Sequence, residues 1–469
     1  MISASIWWAF VVDPEQFAEL AKQHRLRVCV LGLGHIGLPT ALAIALSGYP
    51  VVGVDVNPDR IDRIRNGQLK HSETGFDEKV RSALKTHRLE LRDKLGDSDR
   101  GSHVYIICVQ TPIGRQNKPD LKSAVAATES VGDMIEAGAL VTVHSSLPPS
   151  TTQTRIAPIL EKRSGLQCGT DFWLAVSPER MTPNFSLQEF IHSPRAVGGY
   201  SHECARVAAS FYTNVLKAEL LLTEASVAEV SKLAENAFRD VNIAFANELA
   251  ILCERLGVSV REVVRIANTH PRVHIHNPGA GVGGPCLPKD PYLLLASARR
   301  RKPVSVMRAA REVNDRMPDD MVRLVAQSLR KVGKRTKGSH VAIFGLAYKP
   351  DVDDTTYSPA RRIIWLLLRE GALVRTFDPM VDESLGGQRC DTLETAVERA
   401  DCIVIVTEHR AFCQLNLQQL RKLTGENPVI VDGRGLFNEE DAKKAGFLYA
   451  GIGYAPKSHR KLSLIRERA

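Results

Sequence analysis

The chain has 469 residues, enough for roughly two to four domains. At 44% hydrophobic and 25% charged it is not a largely disordered chain, and it holds no run of about 18 apolar residues that would make a membrane-spanning helix. The net charge of +9 is spread along the sequence; the densest basic run, Arg299 to Lys302, is short and has few aromatic neighbours. Nucleic acid is therefore not expected as a partner, and small phosphorylated ligands fit the charge better.

In chain order, Met1 to Val12 is apolar, with Trp7 and Trp8, but lacks a basic leader and a clear cleavage site. It is expected to be an extension packed on the body rather than a secretory signal. Residues 27–31 (RVCVL) and 50–54 (PVVGV) are apolar runs flanking a glycine-punctuated helix from Ile36 to Leu46, which makes one βαβ unit. Further buried strands are predicted at 103–109, 139–143 and 172–176, so the first lobe is a doubly wound α/β domain. From 224 to 256 there is no proline, and apolar residues recur at Val227, Val230, Leu233, Ala237, Val241, Ala244, Phe245, Leu249 and Leu252. That spacing predicts one helix of roughly eight or nine turns, about 50 Å long, linking two lobes. Strands at 340–344, 373–377, 402–406 and 428–431 then repeat the first lobe in style, and 373–377 ends at Asp378-Pro379 much as 50–54 ends at Asp55. The expected fold is thus two Rossmann-like doubly wound α/β domains joined by a long central helix, divided as 1–215, 216–325 and 326–469. The nine cysteines are scattered and include no Cys-x-x-Cys, which argues against a disulfide scaffold or zinc ribbon and for a reducing cytoplasm.

Gly32-Leu33-Gly34-His35-Ile36-Gly37 matches G-x-G-x-x-G. It follows a strand, opens a helix, and has Asp55 at the end of the next strand, a context that marks a dinucleotide site. The glycines let a pyrophosphate approach the helix N-terminus, and a carboxylate at Asp55 favours NAD over NADP. Arg60 is either near the adenosine or a solvated arginine. The run Gly281-Val282-Gly283-Gly284-Pro285-Cys286-Leu287-Pro288-Lys289-Asp290-Pro291 crowds glycines around one cysteine. Cys286 is a candidate nucleophile, with Lys289 available to favour the thiolate; a buried structural cysteine is the competing reading. Lys232, Asn236 and Arg239 fall on one helix face at i, i+4 and i+7, either a functional stripe or a solvated face. His270, His274 and His276 follow no recognised ligand spacing, and no metal is expected.

GLGHIGLPT, SPER, KLAENAFRDVNIAFANEL, HPRV, GVGGPCLPKDP, REVND and GLAYKPDVDD occur in this order, and with them the chain resembles the UDP-glucose/GDP-mannose dehydrogenase superfamily over about residues 26–437. The likeness is strongest to the branch acting on UDP-N-acetylhexosamines. It implies a cysteine nucleophile at Cys286, with Lys232 and Asn236 holding the reacting oxygen. It also implies Asp290 beside the cysteine and Glu179 in thioester hydrolysis. By the same resemblance Gly32, Gly34, His35, Ile36, Gly37, Asp55, Arg60, Thr111 and Ser146 contact NAD. Arg180, Met181, Lys232, Asn236, Arg239, His270, Arg272, Gly283, Lys349 and Arg434 contact the UDP-sugar. The implied reaction is a four-electron oxidation of C6 to the uronic acid through a thiohemiacetal and a thioester, consuming two NAD. UDP-ManNAc is expected first and UDP-GlcNAc second, with UDP-glucose a poor substrate; a UDP-GlcNAc or UDP-glucose 6-dehydrogenase is the alternative reading, and a homodimer or higher homo-oligomer is expected. The sequence departs from the family at Gln110, His144, Ser146, His274 and Thr356, the last replacing an arginine that helps bind NAD. Two-electron β-hydroxyacid dehydrogenases share a Rossmann domain, a long helix and a lysine, but need neither Cys286 nor a second lobe. A non-catalytic paralogue is opposed by the intact Lys232, Asn236, Cys286 and Asp290.

Overall fold

The computed structural model describes residues 13–68, 73–182, 186–297 and 305–454. The expectation for Met1 to Val12 lies outside these residues. The chain forms two compact units, Met1–Glu235 with Tyr292–Lys302, and Asn236–Pro291 with Pro303–Ala469.

The first unit holds an eight-stranded sheet: β1 (Val28–Leu31), β2 (Val51–Val54), β3 (Leu89–Arg92), β4 (Val104–Ile107), β5 (Leu140–Val143), β6 (Trp173–Val176), β7 (Arg195–Gly199) and β8 (Leu220–Glu224). Their order is β3-β2-β1-β4-β5-β6-β7-β8. All neighbouring pairs are parallel except β6 and β7. Every residue of β1, β2, β4, β5 and β6 is buried, because helices cover both faces of the sheet. Those five are the strands that the apolar runs predicted. The others carry weaker signals: β3 alternates in burial, β7 holds an arginine and two glycines, and β8 is a half-exposed edge.

The second unit holds β9 (His340–Phe344), β10 (Leu373–Phe377), β11 (Gln388–Arg389), β12 (Cys402–Ile405), β13 (Val429–Asp432) and β14 (Leu448–Gly451). They form one parallel sheet in the order β11-β10-β9-β12-β13-β14, again with an apolar layer on each face. The central order β2-β1-β4 of the first sheet is thus repeated by β10-β9-β12. The repeat extends to the loops. Gly32 after β1 and Gly345 after β9 have φ of +90° and +87°, a left-handed conformation that glycine tolerates. Asp55 after β2 accepts from Leu33 N at 2.8 Å, and Asp378 after β10 accepts from Leu346 N at 2.6 Å. In the second lobe the buried His409 also reaches Asp378 Oδ2 through Nε2, at 2.9 Å.

The predicted long helix runs over Ala225–Leu256, 32 residues, from the first unit into the second. A second long helix, Val306–Lys331, carries the REVND motif and lies wholly in the second unit. Among the described residues no helix is long and apolar enough to cross a membrane.

Candidate active site

The glycine motif makes the turn from β1 into the helix Gly37–Leu46. A methyl group at Gly32 would lie 2.8 Å from Cys108 O, and one at Gly37 would drive into the Gly32 carbonyl. Both glycines are therefore needed for the turn itself. A methyl at Gly34 would meet nothing within 4 Å, so this position borders open space at the helix N-terminus. That division of labour fits a pyrophosphate cradle: two glycines close the turn and one leaves room for an anion. His35 is exposed and Ile36 half-buried beside it.

Asp55 is 5% exposed, with Oδ2 taken by Leu33 N and by Arg60 Nη1, each at 2.8 Å, and Oδ1 by Asn57 N at 3.0 Å. Burial would raise its pKa, but the Asn57 and Leu33 amides and the Arg60 guanidinium outweigh it and hold the carboxyl below its ordinary range. Arg60 is thus neither simply solvated nor unattached. Thr111 is buried and donates through Oγ1 to Ser146 O at 2.7 Å, tying two strand ends together. His144 is buried and shares a 2.6 Å hydrogen bond with Tyr212 Oη. Burial, and then the Arg195 cation, hold its imidazole well below the usual range, so it is neutral.

Glu179 is also buried in this unit. Its Oε1 accepts from Arg180 N at 2.7 Å and Met181 N at 2.9 Å, and its Oε2 from Arg195 Nη2 at 2.6 Å. The Arg195 guanidinium lies over the Phe190 ring at 4.4 Å. Arg180 donates to Pro194 O at 2.9 Å and pairs with Glu235 of the long helix. On the same helix Lys232 is half-buried.

The second unit holds the cysteine loop. Gly281 and Gly284 have φ of +136° and +95°. A methyl at Gly283 would meet Tyr357 O at 2.8 Å, and one at Gly284 the Tyr348 ring at 2.7 Å. The glycines therefore let the backbone thread past these neighbours, and Gly284 N donates to Thr356 O at 2.8 Å. The turn closes where Lys289 N and Asp290 N both donate to Cys286 O, at 3.0 and 2.9 Å. Cys286 is half-buried. Asp290 is fully buried, accepting from Asn236 Nδ2 at 2.6 Å and from Lys289 Nζ at 2.8 Å. The structure thus brings Asn236 and Asp290 together beside the cysteine turn.

The chain belongs to the UDP-glucose/GDP-mannose dehydrogenase family. Residues 26–216 match the family's NAD binding domain, 226–316 its central domain and 342–439 its UDP binding domain. The chain is 42% identical to a UDP-N-acetyl-D-mannosamine dehydrogenase of Pyrococcus horikoshii over 428 residues, 91% of this chain and 99% of that protein. It is 35% identical to an NDP-N-acetyl-D-galactosaminuronic acid dehydrogenase of Ralstonia solanacearum, covering 88% and 96%. Among solved structures, the UDP-D-ManNAc dehydrogenase from Pyrococcus horikoshii superposes with a TM-score of 0.85 at 41% identity, covering 91% and 99% of the two chains. A UDP-glucose dehydrogenase from Pyrobaculum islandicum gives 0.79 at 29% identity, covering 92% and 98%. The protein is an NAD-dependent nucleotide-sugar dehydrogenase.

Other residues singled out in the sequence surround the cysteine loop or stand apart from it. The guanidinium of Arg434 packs on Gly279, 2.5 Å from where a methyl there would sit, and its Nε donates to Val406 O at 3.0 Å. The Lys349 ammonium lies 6.0 Å from the Tyr348 ring centroid. Arg239, His270 and Arg272 are exposed, with His270 Nδ1 accepting from Arg272 N at 3.3 Å. Burial, followed by His274 and Arg239, lowers the pKa of His276. Buried charges that the sequence does not single out as site residues include Arg195, Glu229, Asp240 and Arg311. Arg311 donates to Asp240 at 2.6 Å; Asn314 bridges Asp240 and Asn247; and Asn247 Oδ1 accepts from Gly279 N at 2.9 Å. This polar chain supports the backbone just before the cysteine loop. The available signal was a charge set among apolar helix or strand residues, which requires a partner when buried.

Proposed function

We propose that the protein oxidises C6 of a UDP-linked 2-acetamido hexose to the uronic acid in four electrons, with UDP-ManNAc preferred and UDP-GlcNAc next. The carrying observation is the cysteine turn, with Asp290 fully buried between Asn236 and Lys289. A two-electron β-hydroxyacid dehydrogenase needs no such cysteine. The Pyrococcus and Ralstonia relatives, both named for N-acetylhexosamine or hexosaminuronate substrates, support the sugar class.

Cys286 Sγ adds to the C6 aldehyde carbon and makes it tetrahedral, and oxidation of that adduct leaves a thioester. Lys232 offsets the charge on the reacting oxygen, with Asn236 one helical turn away as its companion. Glu179 or Asp290 helps to activate the hydrolytic water. Each oxygen of Glu179 is held by a fixed donor, which suits an acceptor of defined direction. Gly32, Gly34, His35, Ile36, Gly37, Asp55, Arg60, Thr111 and Ser146 hold NAD, which when bound supplies the electron acceptor. Arg180, Met181, Arg239, His270, Arg272, Gly283, Lys349 and Arg434 contact the nucleotide sugar. The segments 1–215, 216–325 and 326–469 serve as cofactor, central and UDP-binding parts, a division supported by the three family segments. The nine scattered cysteines, none in a disulfide among the described residues, support a reducing, cytoplasmic setting.

The protein acts as a homodimer or a higher assembly built on the long helix. Phe238, Phe245 and Leu252 are 68%, 53% and 49% exposed at seven-residue intervals, with Val227, Val230 and Leu256 also exposed. Such a stripe suits a second helix, each large side chain contributing about 1.5–3 kcal/mol when fully buried. Sedimentation of Phe238→Glu/Phe245→Glu should show a monomer where wild type is a dimer; a monomeric, fully active wild type contradicts the assembly.

The substrate test is a panel of UDP-sugars assayed for NADH formation. Polar groups matched to an acetamido group are left unpaired by a hydroxyl, at about 1–3 kcal/mol each, or roughly 5- to 150-fold in kcat/KM. Comparable kcat/KM for UDP-glucose and the UDP-N-acetylhexosamines would overturn the sugar assignment.

A further inference from the structure

We propose that Glu229 is a positioning residue that fixes the loop carrying Ser146 against the turn of the long helix carrying Lys232. The inference rests on the dehydrogenase reading of those two residues. Glu229 lies one turn before Lys232 and is 2% exposed. Its Oε2 accepts from Ser150 N at 2.6 Å, and its Oε1 from Thr152 N at 2.8 Å and Thr152 Oγ1 at 2.6 Å. Burial pushes the carboxyl upward against the pull of these donors.

The gripped backbone is unusual at just these residues. Ser150 has φ +68°, left-handed for a non-glycine residue, and a π-helical turn follows over Thr152–Ile156. Such features persist only where surrounding contacts hold them, and π turns recur at functional sites. Pro148 and Pro149 offer no amide donor of their own. Four residues before Ser150, the Ser146 carbonyl is tied to Thr111. The connection thus runs from the cofactor loop through Ser150 and Thr152 to Glu229, and along the helix to Lys232. A carboxylate suits this place because all three contacts are donors. A glutamine must turn its amide N–H₂ toward at least one of them, leaving that donor unpaired.

The test uses Glu229→Gln, Thr152→Val and Thr152→Ser in the full-length protein. NAD affinity is measured by calorimetry without sugar, and kcat and both KM values are measured with it. Glu229→Gln should weaken NAD binding and lower kcat, each by about tenfold or more, with the UDP-sugar KM within about twofold. Thr152→Val should move the same quantities by a smaller factor, and Thr152→Ser should restore them. Wild-type NAD affinity and kcat in Glu229→Gln would overturn the proposal. So would parallel losses in NAD affinity and UDP-sugar KM that track a loss of folded protein. If Glu229→Gln does not fold, unchanged NAD affinity and kcat in Thr152→Val overturn it. A wild type that binds NAD but oxidises no UDP-hexosamine refutes the substrate assignment alone, because the calorimetric arm needs no sugar.

Discussion

Gly34→Ala separates the cofactor's needs from those of the fold. The added methyl meets no protein atom within 4 Å, and Gly34 does not have a positive φ. Folding should therefore tolerate alanine, which can stabilise by about 0.4–1 kcal/mol by restricting the unfolded chain. With NAD held as proposed, the same methyl would occupy the space through which the pyrophosphate reaches the helix N-terminus. Each charge-assisted hydrogen bond lost there costs roughly 1.5–3 kcal/mol, so NAD should bind about 10- to 150-fold more weakly. Gly37→Ala is the contrasting variant. Its methyl collides with the Gly32 carbonyl, and the forced shift should cost about 1–3 kcal/mol or more of stability. Calorimetric titration with NAD and thermal unfolding read the two effects independently. Gly34→Ala with NAD affinity within about twofold of wild type would refute the cradle.

Asp55 should enforce NAD over NADP, since a second anion beside its carboxylate is repelled; Asp55→Asn should narrow the kcat/KM gap, and equal values in wild type would count against the assignment. Arg195→Met leaves the Glu179 carboxylate buried without its cation, a loss of about 3–5 kcal/mol by urea unfolding. Adding Glu179→Gln should recover part of that loss, and a deficit under about 1 kcal/mol in the single variant would show the pair to be unimportant. For Asp378, burial acts upward, but His409 and the Leu346 and Met380 amides hold its carboxyl below the ordinary range. Its contribution to stability should be complete above the usual carboxylate range near pH 4 and disappear as pH falls through the depressed folded value. Asp378→Asn should therefore flatten the acid limb of the stability curve, and an unchanged limb would refute the linkage.

The elements that stood out in the sequence are those whose signal is local. β1, β2, β4, β5, β6, β9, β12 and β13 are buried along nearly their whole length because helices cover both faces, β10 alternates in burial, and the long helix is one uninterrupted period. The antiparallel step from β6 to β7 left no comparable trace, since β7 places Arg195 and two glycines where an apolar run would be. The glycine turn and the buried Asp55 were legible because their geometry depends on fixed spacing along one βαβ unit. Glu229 and Arg195 were not, because their partners are 77–79 and 16 residues away and only the folded chain shows them buried. The exposed stripe on the long helix was half-legible: the sequence gives its apolar residues, while the structure shows which of them its own unit leaves uncovered.

The central claim is a four-electron oxidation with Cys286 as the carrier between its two stages, and the number of NADH formed per sugar tests it most directly. With limiting UDP-ManNAc and excess NAD, the account predicts two NADH per sugar consumed, with uronic acid as the product. Cys286→Ser should form no net uronic acid while binding NAD as wild type does. One NADH per sugar from the wild-type protein, or full uronic acid production by Cys286→Ser, would contradict it.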